Sequence, residues 1–227
     1  MNAHYTYLFI DVLTLAFPLL LSFDKKVAFY KTWTQLWRGM LLTGAFFIEW
    51  DIVFTQRGVW SFNNNYIIGY RIGGLPIEEW LFFIVVPYAC SFIYSCIMAY
   101  VPLQKRRDNG WKVLLPLGIL LIIFGALFWT RAYTCTSFCF CGMAILLVNM
   151  FQQKLPAFRA DAFLYTFFIS ILPFLVVNGL LTAIPIVRYN NFHNLGIRIF
   201  TIPFEDNFYG MLLMLGNIVA LSPPSEK

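Results

Sequence analysis

Residues 61–80 read SFNNNYIIGYRIGGLPIEEW and residues 188–207 read RYNNFHNLGIRIFTIPFEDN, and the two align without a gap at an offset of 127. Seven of the 20 pairs are identical: Asn63/Asn190, Asn64/Asn191, Gly69/Gly196, Arg71/Arg198, Ile72/Ile199, Pro76/Pro203 and Glu78/Glu205. Glu79 and Asp206 add a chemically matched pair. Chance likeness between apolar stretches matches Leu with Phe. These identities fall on Asn, Gly, Arg, Pro and Glu, so an internal duplication is the better reading. The shared pattern is N-N-x4-G-x-R-I-x3-P-x-E-[ED].

Outward from these two stretches the chain is apolar. Of its 227 residues 60% are hydrophobic, 19% aromatic and only 12% charged, about half the charged share of a soluble domain. Windows long enough to cross a hydrocarbon core fall at 4–22, 37–56, 77–100, 113–130, 133–151, 161–184 and 203–222. Backbone in lipid must satisfy its own hydrogen bonds, and long continuous apolar runs favour helices over the short alternating segments of a barrel. The expected fold is therefore an all-α integral membrane protein with seven transmembrane helices. The offset of 127 lays spans 1 to 3 over spans 5 to 7. This predicts a first three-helix repeat at 1–100, a loop and connector helix at 101–132, and a second repeat at 133–227. Three spans plus one connector return the chain to its starting side, so the repeats should be parallel and both motifs should lie on one face.

Eleven basic residues (Lys25, Lys26, Lys31, Arg38, Lys105, Arg106, Arg107, Lys112, Lys154, Arg159 and Lys227) fall on one side of this plan, against Arg57, Arg71, Arg131, Arg188 and Arg198 on the other. Basic residues are retained on the cytoplasmic side, which predicts a multi-pass protein of the cell (inner) membrane with its N-terminus outside and C-terminus inside. Topology then explains the net charge of +5 without a nucleic-acid partner. Residues 1–7 lack a basic n-region, so the first span is expected to be kept rather than cleaved. Five cysteines inside apolar spans and two histidines make neither a disulfide framework nor a metal site the natural expectation.

The motif reads as a loop, a helix start at Pro76 or Pro203, and paired carboxylates in the first turn, where the helix dipole favours them. One such motif is commonly only a cap, with the Asn pair closing a turn. Two copies on one face instead bring Glu78, Glu79, Glu205 and Asp206 towards Arg71 and Arg198 near the membrane boundary, where ionisable groups usually mark function. Glu49 and Asp51, near the outer end of span 2, extend the cluster; their counterparts are Val176 and Asn178, so the first repeat is expected to carry more of the acid–base work. Asp11, inside span 1, either faces the same cavity or pairs with a hydroxyl such as that of Tyr7. Aromatic residues are dense around the motifs, among them Trp50, Trp60, Phe62, Tyr66 and Trp80. Ring faces stabilise positive charge in a dry site, the surroundings that a carbocation reaction on an apolar substrate would need.

The PIEE and PFED motifs, the Trp50-Asp51 pair, the V-W-S-F-N-x-x-Y-x-x-G run and the duplicated three-helix plan resemble the membrane-integral lycopene cyclases, which occur as half-size subunits or as fused domains. The resemblance implies a non-redox cyclisation of the ends of a linear carotenoid, lycopene to β-carotene via γ-carotene: protonation of a terminal double bond, capture of the cation by the neighbouring alkene, and loss of a ring proton. It implies Glu78 or Glu79 as proton donor and Glu205 with Asp206 as base or hydrogen-bond partners. Arg71 and Arg198 would hold the ionised members, and Trp50, Trp60, Phe62, Asn63, Tyr66, Pro76, Trp80, Asn190 and Pro203 would surround the substrate. Asp206 stands where the motif has Glu, which leaves the equality of the two halves open. The expected partners are the carotenoid and membrane lipid, with no obligate second subunit. No G-x-G-x-x-G follows a strand, so no flavin or other cofactor is expected.

The rival classes are weaker. A retinal protein needs a lysine in its last helix, and 203–222 has none. A multi-pass transporter usually has inverted repeats and a midplane site. A prenyltransferase would carry N-D-x-x-D motifs for magnesium diphosphate, which are missing here. Cyclases acting on C50 carotenoids or making ε rings remain alternatives within the same architecture.

Overall fold

The computed structural model describes residues 3–155 and 157–221. Lys227, counted above for orientation, residues 1–2 and residue 222 of the last span lie outside them. Seven α-helices run through the described residues: α1 (Thr6–Leu21), α2 (Trp33–Gln56), α3 (Ile77–Tyr100), α4 (Trp111–Leu127), α5 (Ala132–Met150), α6 (Ala160–Ala183) and α7 (Asp206–Leu221). Each overlaps one predicted span, and four segments, Ala3–Leu21, α3, α5 and α6, are long and apolar enough to cross a membrane. The outer surface is greasy: Phe17, Leu20, Leu41, Leu42, Phe168 and Leu172 are all exposed. Such a surface suits lipid rather than water, and the chain is a helical membrane protein.

Three boundaries differ from the sequence reading by three residues or more, one of them the end of α4, at Leu127 rather than 130. Helix α2 begins at Trp33, four residues before the predicted 37, because Trp33 and the preceding 3₁₀ turn pack under Tyr88 rather than trailing into a loop. Helix α7 begins at Asp206, not at 203. Neither Pro76 nor Pro203 occupies a first helical turn. Both close the second strand of a two-residue-strand hairpin: β2 (Arg71–Ile72) with β3 (Leu75–Pro76), and β5 (Arg198–Ile199) with β6 (Ile202–Pro203). The first hairpin turns on Gly73-Gly74, both at positive φ (63° and 89°), the backbone that a two-residue hairpin loop prefers. The second must place Phe200 at φ 55°, which is costly for a side chain with a Cβ.

The duplication is visible as repeated contacts. Arg71 donates from Nη1 to the Gly74 carbonyl (2.8 Å) and from Nη2 to Asn64 Oδ1 (2.7 Å). Arg198 does the same to the Thr201 carbonyl (3.0 Å) and Asn191 Oδ1 (2.6 Å), each partner 127 residues on. Asn63 Oδ1 accepts from Asn65 N–H and Asn190 Oδ1 from Phe192 N–H. Gly69 and Gly196, both retained in the repeat, sit at φ 100° and 72°. The N-N-x4-G-x-R frame therefore builds one loop twice.

Strand β1 (Trp60–Phe62) pairs antiparallel with β4 (Val187–Tyr189), with Ser61 opposite Arg188. Those two residues are each other's repeat counterparts, as a pseudo-two-fold axis through the pair would require. The two motif loops thus meet at one end of the helix bundle. In the first helix of each repeat the matching offset is 126 rather than 127, with Tyr7 over Tyr133. One residue has been gained or lost between there and the second helix. Helix α4 lies against α5, where a Cβ on Gly142 would come within 2.5 Å of the Gly118 carbonyl oxygen; such close approach is a common basis of helix pairing in lipid.

Candidate functional site

Under the β1–β4 ladder lies a chamber of about 70 Å³. Asp51 of α2, Glu79 of α3 and Asp206 of α7 line it together with Tyr7, Trp60, Phe62, Phe82, Tyr133, Tyr189 and Tyr209. Most of the lining comes in repeat pairs: Tyr7/Tyr133, Asp51/Asn178, Trp60/Val187, Phe62/Tyr189, Glu79/Asp206, Phe82/Tyr209 and Val86/Leu213. The chamber therefore sits where the two halves face each other, with Phe174, Leu181, Thr182 and Gly210 added from the second repeat alone.

Within each acidic pair the two members part company. Glu78 Oε1 accepts from the Ile68 backbone N–H at 2.7 Å, and Glu205 Oε1 from the equivalent Leu195 N–H at 2.7 Å. Glu205 Oε1 also accepts from Thr134 Oγ1 at 2.6 Å. Both residues are fully buried but neither is among those lining the chamber. They tie the motif loops to the helix starts. The second member of each pair, Glu79 or Asp206, turns into the chamber, because adjacent residues in a helical first turn point about 100° apart.

Phenols hold the inward acids. Tyr7 donates to Glu79 Oε2 (2.6 Å), and Tyr133 to Asp206 Oδ1 (2.6 Å). Tyr189 adds a second bond to Asp206 Oδ2 (2.9 Å). Burial first, and then the charge of Asp206, push the Tyr189 phenol well above its ordinary range, so it stays a donor. Asp51 accepts from the Trp60 indole Nε1 and from Thr55 Oγ1 (3.2 Å). Asp51 and Glu79 border the same small chamber. Two carboxyl groups confined together in so dry a space favour keeping one proton between them.

Several expected positions lie elsewhere. Glu49 is exposed; it sits two residues from Asp51, about 200° around α2, and so faces away from the chamber. Arg71 and Arg198 make no ion pair with any of the four motif acids. They are spent on the loop bonds above, and the single ion pair among the described residues is Arg159–Asp161. Arg198 also lies over the Tyr189 ring, its Cζ 5.6 Å from the centroid, so its charge meets the phenol that binds Asp206 rather than the carboxylate. Asn63, Asn190, Pro76 and Pro203 shape the loops, Tyr66 packs on the core from outside the chamber, and Trp80 donates to the Ile72 carbonyl at the exposed rim. Trp50 is buried in an aromatic cluster with Phe46, Phe47, Phe140 and Tyr209, outside the chamber lining. Tyr7 binds Glu79 and not Asp11, whose Oδ2 is buried without a partner. Tyr133 escaped the sequence reading, although laying α1 over α5 at an offset of 126 would have matched it to Tyr7.

A larger cleft adjoins the chamber. It has a volume of about 540 Å³, is bounded by α1, α3, α6 and α7, and shares Val86, Phe174, Asn178 and Gly210 with the chamber wall. Its remaining lining is almost wholly apolar, including Ile10, Phe17, Ile93, Phe167 and Met214.

No solved structure matches the chain. Among curated relatives, a bifunctional lycopene cyclase/phytoene synthase of Pyrenophora tritici-repentis is 38% identical over 65 residues, covering 28% of this chain and 11% of the relative. Proteins of the same description from Leptosphaeria maculans (29% over 127 residues, 52% of this chain and 20% of the relative) and Aspergillus oryzae (24% over 104 residues, 41% and 18%) also match. The matched region thus spans a fifth or less of the length of these relatives. The family model described as lycopene cyclase matches twice, over residues 4–97 and 130–222, segments that start 126 residues apart like Tyr7 and Tyr133. With that match running over nearly the whole chain, the chain belongs to the lycopene cyclase family of carotenoid biosynthesis.

Proposed function

We propose that this protein cyclises the ends of a linear carotenoid, converting lycopene to β-carotene through monocyclic γ-carotene, by acid–base chemistry with no change of oxidation state. The observation that carries the reading is the convergence of Asp51, Glu79 and Asp206 on one small aromatic chamber with no ion-paired cation beside them. The proton shared by Asp51 and Glu79 is the one delivered to the terminal double bond. The tertiary cation that forms is attacked by the neighbouring alkene, closing a six-membered ring. Asp206, which accepts from two phenols that favour its anionic form, takes the ring proton. One proton enters the hydrocarbon and one leaves, so the product is an isomer and no electron carrier is consumed.

The other groups suit this sequence. The ring faces of Trp60, Phe82 and Tyr209 border the space where positive charge would develop and would stabilise it. The β1–β4 ladder roofs the chamber, keeping out water that would trap the cation as an alcohol. The protein is read as two parallel three-helix repeats, 1–100 and 133–227, joined by 101–132. It crosses the cell membrane seven times with its N-terminus outside, which sets the chamber near the outer face and lets an apolar substrate reach it from lipid.

The test is expression in a lycopene-accumulating host followed by pigment chromatography. Wild-type protein should convert lycopene to cyclic products, and Glu79→Gln and Asp206→Asn should each leave lycopene as the dominant pigment. Unaltered conversion by both variants would remove the proposed acid–base centre.

A further inference from the structure

The cleft beside the chamber lies on one side of the pseudo-two-fold axis, between α1 and α3 of the first repeat and α6 and α7 of the second. Carried through the repeat, its walls map onto a matching region between α2 and α5, and there the residues are larger. Phe140 replaces Thr14, Phe46 replaces Pro173, Trp50 replaces Val177 and Phe83 replaces Gly210. Phe46, Trp50 and Phe140 pack on one another, with ring centroids 5.9 Å apart for Phe46–Phe140, 5.2 Å for Trp50–Phe140 and 5.8 Å for Phe46–Trp50, and Phe83 packs on Phe47 at 6.0 Å. Trp50 and Phe83 are buried. The second cleft is filled by an aromatic plug; the first stands open between α1 and α6, each of which carries an interior proline there, Pro18 and Pro173.

We infer that the open α1–α6 cleft is the binding site for the polyene arm of the substrate, entered sideways from lipid, and that the plugged counterpart leaves a single portal to the acids. The cleft adjoins the chamber, with Val86, Phe174, Asn178 and Gly210 bordering both. A chain lying in the cleft with its end at Glu79 would pass between these four residues. A volume of about 540 Å³ lies in the range of small-molecule sites, and walls with so little polarity select a hydrocarbon chain over a polar metabolite. The identity of that chain as a linear carotenoid rests on the proposed cyclase reading; the existence of one long apolar ligand in this cleft does not.

The repeat itself supplies the test: copy the plug into the open side. Thr14→Phe with Val177→Trp transfers two plug residues, and Gly210→Leu is a second, independent block. A Cβ at 210 would lie 3.8 Å from Phe174, an ordinary contact, so that side chain can enter the cleft without moving backbone. Each protein is purified in detergent from lycopene-accumulating cells, its elution and thermal midpoint are checked, and bound lycopene and phospholipid per polypeptide are measured beside cyclic pigment in the cells. Wild type and Glu79→Gln should both carry lycopene, the latter without forming rings, and the blocked variants should lose at least tenfold of bound pigment and of ring formation together. Folded blocked protein holding wild-type amounts of lycopene, wild type holding none, or loss of phospholipid in place of pigment would each overturn the cleft as the polyene site. If the double variant does not fold, Gly210→Leu alone decides. Wild type that holds lycopene in a block-sensitive way yet forms no ring would sink the cyclase reading and leave the cleft standing.

Discussion

The two repeats reach the same chamber with the same backbone and different chemistry. In the first, Glu79 is held by the Tyr7 phenol and shares the chamber with a second carboxyl, Asp51. In the second, Asp206 is held by two phenols, Tyr133 and Tyr189, and the position matching Asp51 is Asn178. The residue that matches Tyr189 is Phe62. On the proposed reading, the differences at Asp51/Asn178 and Phe62/Tyr189 suit the first site to giving a proton and the second to taking it. The shorter Asp206 fits the same picture, since a second phenol reaches across from β4 to meet it.

The largest effect expected from this comparison is between the two members of each motif pair. Glu79→Gln should lower ring formation by about 10²–10⁴-fold, the range for loss of a general acid. Glu78→Gln should leave turnover per folded protein nearly unchanged, because Gln keeps an oxygen for the Ile68 N–H, and should cost only about 1 kcal/mol of stability. Pigment chromatography together with thermal unfolding in detergent reads both. Equal loss of activity in a well-folded Glu78→Gln protein would break the division of labour.

Next comes the divergence itself. Asp51→Asn removes the partner that shares the Glu79 proton and should reduce cyclisation by about 10²-fold, the lower end of the acid–base range. Tyr189→Phe, which copies the first repeat into the second, should cost less, because Tyr133 still donates to Asp206. If Tyr189→Phe proves the more damaging, the donor and acceptor halves have been assigned the wrong way round. With a single open portal, a time course on lycopene should show free monocyclic product before bicyclic product. Bicyclic product appearing without that lag would contradict one end per binding event.

The smallest effect concerns the hairpins. Phe200 is exposed and takes the left-handed backbone that Gly73 occupies in the first repeat. Phe200→Gly should raise stability by about 1 kcal/mol or less, the strain relieved minus the entropy that glycine adds to the unfolded chain. Gly73→Ala should lower it, since the new Cβ would sit 2.7 Å from Ile52 Cδ1 as well as at φ 63°. Thermal midpoints order the two.

Much of this molecule was legible before any fold was drawn. Membrane class, seven helices and most of their ends follow from hydropathy and helix length, properties local to each segment, and the predicted 77–100 coincides with α3 to the residue. The repeat and its acids were legible because duplication leaves identities in order along the chain. What was hidden is what depends on neighbours in space. Arg71 and Arg198 read as counter-ions and proved to be loop braces. Glu49 read as part of the acid cluster and faces outward.

By itself, then, the sequence determined that this chain lives in lipid, that it is built twice, and that four carboxyl groups stand at two matching helix entrances. Only the tertiary structure decided which carboxyl of each pair looks inward, that Tyr7 and Tyr133, more than 70 residues from their acids, supply the phenols, and that one of two matching clefts is stopped by Trp50 and Phe140. The reason is geometric. Helix period and hydropathy are written in runs of adjacent residues, whereas the surroundings of a buried side chain are set by helices that meet from distant parts of the chain.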